Sequence, residues 1–192
     1  MITGIILASG FSRRMKKDKL LIKVDGESII ERVIKACINS KLDNVILVYR
    51  SKEVKEIGEK YNIKTIYNKD AYLGQSQALK LGMNEAIEAN DYMFLVGDQP
   101  FLTSEIINIL IEEYNNSHLP ILVPYYNGIR GMPMLISSIF KEELLKITGD
   151  KGGRDIVEDN IFRVKKVYIK EEKLGMDIDR PEDLDLLNMN KK

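Results

Sequence analysis

Short apolar runs of strand length recur along this chain, and each is followed by a stretch whose apolar residues return every three or four positions. A strand followed by a helix brings the chain back to the edge it left. Repeated alternation therefore builds parallel strands with helices over both faces. The strand-like runs are "TGIIL" (3–7), "NVILVY" (44–49), "IKTIYN" (63–68), "DYMFLVGD" (91–98), "PILVPYY" (120–126) and "FRVKKVYIK" (162–170). The run at 91–98 is nearly continuous in its apolar residues, as a strand covered on both faces must be. The helical stretches are 28–39, 51–61, 75–89, 103–116 and 138–148. Ser28 with Glu31 three residues on reads as a capping box, and Leu79, Met83, Ala86 and Ile87 make one apolar side of the third helix. "RGMPMLIS" (130–137) reads as a strand that turns back, "GDKGGRDIVEDN" (149–160) as starting with a loop, and "DIDRPED" (177–183) as a tight turn before a short helix opened by Pro181. The pattern predicts an α/β fold of three layers, αβα, around a mostly parallel central sheet, in one domain spanning 1–192.

Residue counts exclude several kinds of chemistry. Lysine plus arginine and aspartate plus glutamate number 29 each, so nothing suggests a nucleic-acid partner. Cys37 is the one cysteine; with Ile30, Val33, Ile34 and Ile38 it falls on the spacing of a buried helix face. His118 is the one histidine, in the turn-like "NNSHLP". Neither the catalytic triads nor a thiolate metal cage has its parts. No apolar run approaches the ~20 residues that cross a bilayer, and no secretory signal precedes the first strand, so no membrane is expected and the cytoplasm is.

Against that neutral background, five cations crowd into seven positions after the first strand: Arg13, Arg14, Lys16, Lys17 and Lys19. In open parallel sheets ligands bind beyond the carboxyl ends of the strands, so the segments after the strands matter most. Ala8, Ser9 and Gly10 are small enough to bring backbone N–H groups against phosphate oxygens. Arg14 offers a planar fork and Lys19 a point charge. "LVGDQP" (95–100) puts Asp98 at the end of the most apolar strand, where a carboxylate suits a hard cation such as Mg²⁺ or caps the next turn. Asp177 and Asp179 add two carboxylates on one side of an extended segment, unless Asp179 caps the helix at Pro181. In "GQSQALKLG", Gln75 can read a base edge and Ser76 is a candidate N-cap.

Together these segments resemble the nucleotidyltransferases that mature the molybdenum cofactor. Their opening, roughly L-A-[AG]-G-x-S-x-R-M-G-x-x-K, reads here as "LASGFSRRMKKDK" (7–19), with Ser9 and Lys16 as departures. "GQSQAL" (74–79), "GDQPFL" (97–102), "RGMPMLI" (130–136), "GDKGGR" (149–154) and "DIDRPED" resemble the cytidylyltransferase branch. The resemblance implies a Rossmann-like nucleotidyltransferase domain, its nucleotide-binding half at 1–100 and its acceptor-binding half at 101–192. It implies transfer of CMP from CTP to the phosphate of molybdenum-bearing molybdopterin, releasing pyrophosphate, with Mg²⁺ as cofactor. Arg14, Lys19 and Asp98 would be catalytic, and Asp98 and Asp179 would hold the metal. Leu7, Ala8, Ser9, Gly10, Gln75 and Ser76 would surround the nucleotide, and Gly131, Pro133, Gly152 and Arg154 the acceptor. An apo molybdenum hydroxylase would receive the product. GTP in place of CTP, a sugar phosphate as acceptor, or a cofactor carrier without transferase activity remain alternatives.

Overall fold

The computed structural model describes residues 1–15, 17–150 and 152–185. The departure at Lys16 lies outside them, as does the end of the C-terminal segment. The strands are β1 (Ile2–Ala8), β2 (Lys23–Val24), β3 (Glu27–Ser28), β4 (Asn44–Tyr49), β5 (Lys64–Tyr67), β6 (Asp91–Val96), β7 (Ile121–Tyr126), β8 (Ile129–Arg130), β9 (Met134–Ser137) and β10 (Val164–Ile169). The α-helices are α1 (Ile29–Ile38), α2 (Lys52–Lys60), α3 (Gln75–Glu85), α4 (Ser104–Ser117), α5 (Lys141–Lys146) and α6 (Arg154–Asp159).

The main sheet runs β10-β7-β9-β6-β1-β4-β5, with β8 added beside β7. β5, β4, β1 and β6 are mutually parallel, β10 is parallel to β7, and β9 lies antiparallel between β6 and β7. This is the expected α/β architecture, with "RGMPMLIS" supplying the strand that turns back. From β1 the chain steps outward to β4 and β5, then returns to place β6 on the other side of β1. The order therefore reverses between β1 and β6, and a crevice opens at their carboxyl ends.

Every residue of β1 is buried, because it is covered on both faces. Ile2 and Ile6 pack with α1, α2 and α4 in one core; Ile5 and Leu7 pack with α3, α5 and α6 in the other. Gly82 lets α3 lie close on β1, since a Cβ there would come 2.3 Å from Ile5 Cγ2.

Several expectations need correction. Cys37 is buried as predicted, and burial pushes its thiol pKa well above the ordinary value, but Ile38 is 40% exposed at the end of α1. Helix α3 stops at Glu85, so Ile87 falls beyond the helical face and is 81% exposed. Only half of the capping box forms. Ser28 Oγ accepts from the Glu31 N–H, while the Glu31 carboxylate turns away to Tyr61 and Lys60. The β2–β3 hairpin was not anticipated, although its Asp25-Gly26 turn, with φ of 51° and 88°, is the dipeptide such hairpins favour.

Candidate active site

The crevice between β1 and β6 holds a cavity of about 540 Å³. Its walls come from the segment after β1, the turn before α3, the end of β6 and the C-terminal acidic segment. Leu7, Ala8, Ser9, Gly10, Arg14, Lys19, Gln75, Asp98 and Asp179 all line it. A Cβ on Gly10 would meet nothing within 4 Å, so the backbone there faces open space.

The loop after β1 is braced from within. Ser12 adopts φ 48° and accepts a hydrogen bond from the Lys19 N–H at 3.3 Å. Asp18 caps the short 3₁₀ turn of residues 19–21, accepting from the Leu20 N–H, and also receives the hydroxyls of Ser12 and Ser51. Phe11 lies under the Arg50 guanidinium, 4.7 Å from its ring centre, and Arg13 approaches the same ring at 5.6 Å. Buried Asn68, just past β5, donates to Ser9 Oγ at 2.9 Å and accepts from the Asp70 N–H. The sequence offered no sign of this tie, because it joins residues 59 positions apart.

At the centre of the site Lys19 Nζ lies 2.5 Å from Asp98 Oδ2 and 2.6 Å from Asp179 Oδ1. Arg14 Nη1 reaches the other oxygen of Asp179 at 3.4 Å. The C-terminal segment is held beside Asp98 by its own backbone: the Ile178 N–H donates to Asp98 O at 3.0 Å. Ile178 itself is fully buried with Val24 and Ile29, and so fixes Asp179 at the cavity. Asp179 does not cap the following turn. Asp183 does, accepting from the N–H groups of Asp179 and Arg180. Nor does the Asp98 carboxylate cap a turn: Oδ2 holds Lys19, and Oδ1 is buried with no hydrogen-bond partner among the described residues.

These contacts set the protonation states. Burial works against the charge on Lys19, but Asp98 and Asp179 outweigh it and raise its pKa. The Lys19 hydrogen bond holds Asp179 below the usual carboxylate range. Burial first, then the charge on Asp98, pushes Asp177 upward. Part of Asp177 stays open to solvent, which screens that push. Gln99 is also buried; it donates to Gly175 O at 2.9 Å and helps seat this segment.

The donor set fits a hard divalent cation. Asp98 Oδ1 is a buried anionic oxygen in need of a partner, and Asp179 faces the same cavity. Among the described residues no group of three or more metal-ligating side chains converges anywhere. Two carboxylates completed by water and substrate phosphates is how Mg²⁺ is usually held, in contrast to an all-protein cage.

The remaining expected contacts fare differently. Ser76 is fully buried, does not line the cavity and is not the N-cap of α3; Gly74 is, at φ 103°. The first amides of α3 are satisfied from across the molecule, Gln75 N–H by Asp150 Oδ1 at 3.0 Å and Ser76 N–H by Gly149 O at 3.0 Å. Gly152 lies against Gln75, where a Cβ would come 3.2 Å from Oε1. Gly131 and Pro133 are outside the cavity. Gly131 makes room for the Tyr126 ring, and the Met132–Pro133 peptide is cis. Arg154 opens α6 on the surface, also away from the cavity. Among the lining residues not singled out beforehand are Asp150 and Tyr72, which is 66% exposed on the 3₁₀ turn before α3.

No helix among the described residues is long and apolar enough to cross a membrane. Among curated relatives, purine catabolism protein PucB of Bacillus subtilis is 27% identical over 97% of this chain and 95% of its own. A probable molybdenum cofactor guanylyltransferase of Pyrococcus horikoshii is 26% identical over 97% and 98%. Another, from Natranaerobius thermophilus, is 32% identical over 66% and 62%. Similar folds occur in Rv0371c of Mycobacterium tuberculosis, solved as a complex with manganese (TM-score 0.83, 20% identity, 98% of both chains). A nucleotidyl transferase from Methanothermobacter thermautotroptrophicus matches equally well (TM-score 0.83, 20% identity, 98% and 97%). The MobA-like NTP transferase domain matches residues 4–166, from β1 into β10. With the crevice, the loop after β1 and the strand order all in agreement, the chain belongs to the MobA-like NTP transferase family and is a nucleotidyltransferase.

Proposed function

We propose that this chain transfers CMP from CTP to the terminal phosphate of molybdenum-bearing molybdopterin, with Mg²⁺ bound at Asp98 and Asp179. The observation that carries the chemistry is the Lys19 ammonium set between these two carboxylates, with Asp98 Oδ1 buried and unpartnered among the described residues. An oxygen of the acceptor phosphate attacks the α-phosphorus of the nucleotide. The bond from that phosphorus to the bridging oxygen breaks, and pyrophosphate leaves with the electron pair. No proton has to be removed from an anionic phosphate, so the absence of a histidine base or cysteine nucleophile at the cavity is no obstacle. Catalysis of this kind is positioning and charge neutralisation. Lys19, kept protonated by its two partners, and Arg14 neutralise charge on the α-phosphate and on the departing pyrophosphate. Backbone N–H groups around Ser9 and Gly10 approach phosphate oxygens, and Gln75 faces the ribose and base. A bound Mg²⁺ would supply Lewis-acid stabilisation of the same charge.

The choice of cytosine rests on the resemblance of "GQSQAL" and the later segments to the cytidylyltransferase branch. The segment now lies at the cavity through Gly74, Gln75 and Ala78. A guanylyltransferase is the second reading. It is supported by the names of relatives such as the Pyrococcus protein, which aligns along almost the whole chain. The recipient of the product would be an apo molybdenum hydroxylase.

Single-turnover assays with molybdopterin and each of the four Mg-NTPs, reading pyrophosphate, test the proposal. CTP is expected to lead. A lead for GTP transfers the function to the second reading, and silence with all four rejects nucleotidyl transfer to this acceptor. Asp98→Asn is expected to lower the rate by about 10²- to 10³-fold while leaving the fold intact by circular dichroism.

A further inference from the structure

Both oxygens of Asp179 are engaged by cations, Oδ1 by Lys19 at 2.6 Å and Oδ2 by Arg14 at 3.4 Å. These are the same two side chains that the proposed reaction assigns to the triphosphate. Asp179 therefore cannot serve a metal fully while Lys19 and Arg14 are on it, and they cannot reach phosphates fully while Asp179 holds them. Asp98 differs, because Lys19 takes Oδ2 while Oδ1 is buried and, among the described residues, has no hydrogen-bond partner. Asp177 and Arg180 also face this cluster: Asp177 is pushed toward its neutral form by burial and by Asp98, and Arg180 adds to the positive charge around Asp179.

We propose that Asp179 is a positioning residue exchanged between ligands: a polyphosphate draws Lys19 and Arg14 away, and the released carboxylate then completes the site for a divalent cation. Metal and triphosphate binding are thereby interdependent, each raising the affinity for the other by the same factor. Metal alone meets Asp98 beside a fixed ammonium that repels it, with Asp179 held by cations. Polyphosphate alone must compete with Asp179 for both cations. The exchange also keeps the cluster near charge balance, since Lys19 and Arg14 set two positive charges against Asp98 and Asp179, and a divalent cation supplies the same two when they leave. This inference rests on the nucleotidyl-transfer reading of the same site.

The test uses each ligand without the other, on the full chain. Mn²⁺ alone is titrated into wild type and Lys19→Gln, with the free ion counted by electron paramagnetic resonance. Lys19→Gln is expected to bind Mn²⁺ about tenfold more tightly, within the usual range for coupled sites. Adding Asp179→Asn to that variant should return the affinity to wild-type level. In the converse titration, with EDTA present, inorganic tripolyphosphate is expected to bind Asp179→Asn about tenfold more tightly than wild type. That arm retains the Lys19–Asp98 pair and stands even if Lys19→Gln fails to fold. Unchanged or weaker Mn²⁺ binding in folded Lys19→Gln, or unchanged tripolyphosphate binding in Asp179→Asn, overturns the exchange. Either result alongside normal wild-type turnover leaves the reaction standing. Expected binding shifts without any nucleotidyl transfer would instead reject the reaction.

Discussion

Lys19 shows how much a single residue can draw from its surroundings. It lies on a 3₁₀ turn whose N-terminal amide bonds are fixed by Asp18 and Ser12, so its ammonium is aimed before any ligand arrives. Tyr72 is the opposite case. Its backbone is fixed by the Leu73 and Gly74 N–H bonds to Asp70 and Ala71, yet among the described residues its ring has no aromatic or hydrogen-bond partner. An exposed ring on the wall of a cavity floored by Ala8, Gly10, Ala71 and Ala78 is placed to stack on a planar base. Tyr72→Ala is expected to weaken nucleotide binding by about 1–3 kcal/mol and to leave inorganic tripolyphosphate binding unchanged. Calorimetry with both ligands checks this, and equal losses for both would show that the ring acts only on the loop. Arg14, Lys19 and Asp98 were legible in the sequence because a charged group after an apolar strand has few structural uses, and Asp179 because it pairs with Asp177 in an extended segment. Asn68, Asp150 and Tyr72 were not. Asn68 and Asp150 matter through contacts 59 and 75 positions away, and an exposed tyrosine looks like any other until a cavity is seen beside it.

Among the elements, the parallel strands were readable because two-sided burial makes their apolar runs nearly continuous. β4 begins and ends where the run "NVILVY" does. Helix ends were less readable. Nothing in "MNEAIEA" marks Glu85 as the last helical residue; Ala86 closes the helix through its N–H bond to Gly82 O. Gly82 has a second role, since its missing side chain sets the distance from α3 to β1. In most helices Gly→Ala is stabilising. Here Gly82→Ala would drive a methyl into Ile5, with a net cost of about 1–2 kcal/mol. Differential scanning calorimetry should find the melting temperature lowered by about 3–6 °C, and a rise would mean that α3 is free to shift.

The tie between α1 and α2 carries a pH signature. Hydrogen bonds from Lys60 and then Tyr61 bring Glu31 down to about 2 from an ordinary 4.5. Because the folded value is the lower one, the contribution is present above about pH 4.5 and is lost as pH falls through about 2. Glu31→Gln should therefore melt below wild type at pH 7. The gap should narrow through that window and close at its acid end; a gap constant with pH would remove the carboxylate from the explanation.

For the whole molecule, the notable contact is between the start of α3 and the loop after α5. Gly74 adopts φ 103°, and a Cβ there would come 2.5 Å from the Gly149 backbone carbon. Asp150 and Gly149 satisfy amides that helices usually satisfy locally. Gly74→Ala meets strain on both counts, at about 1–3 kcal/mol for the backbone conformation alone. On the proposed division into nucleotide and acceptor halves, it should raise the KM for acceptor at least as much as that for nucleotide. Initial-rate kinetics with each substrate varied in turn decides this, and a KM change confined to nucleotide would place the loop wholly on the nucleotide side.

The backbone bond from Ile178 to Asp98 has a consequence in time as well as in space. Synthesis proceeds from β1 onward, so a growing chain has its cationic loop and its first carboxylate long before residue 179 leaves the ribosome. Until then Lys19 has only Asp98 as its anchor. The segment that carries Asp179 is thus made after the rest of the site, and it completes the charge set. A chain that stops short of residue 179 carries the groove without the charge arrangement of the finished site.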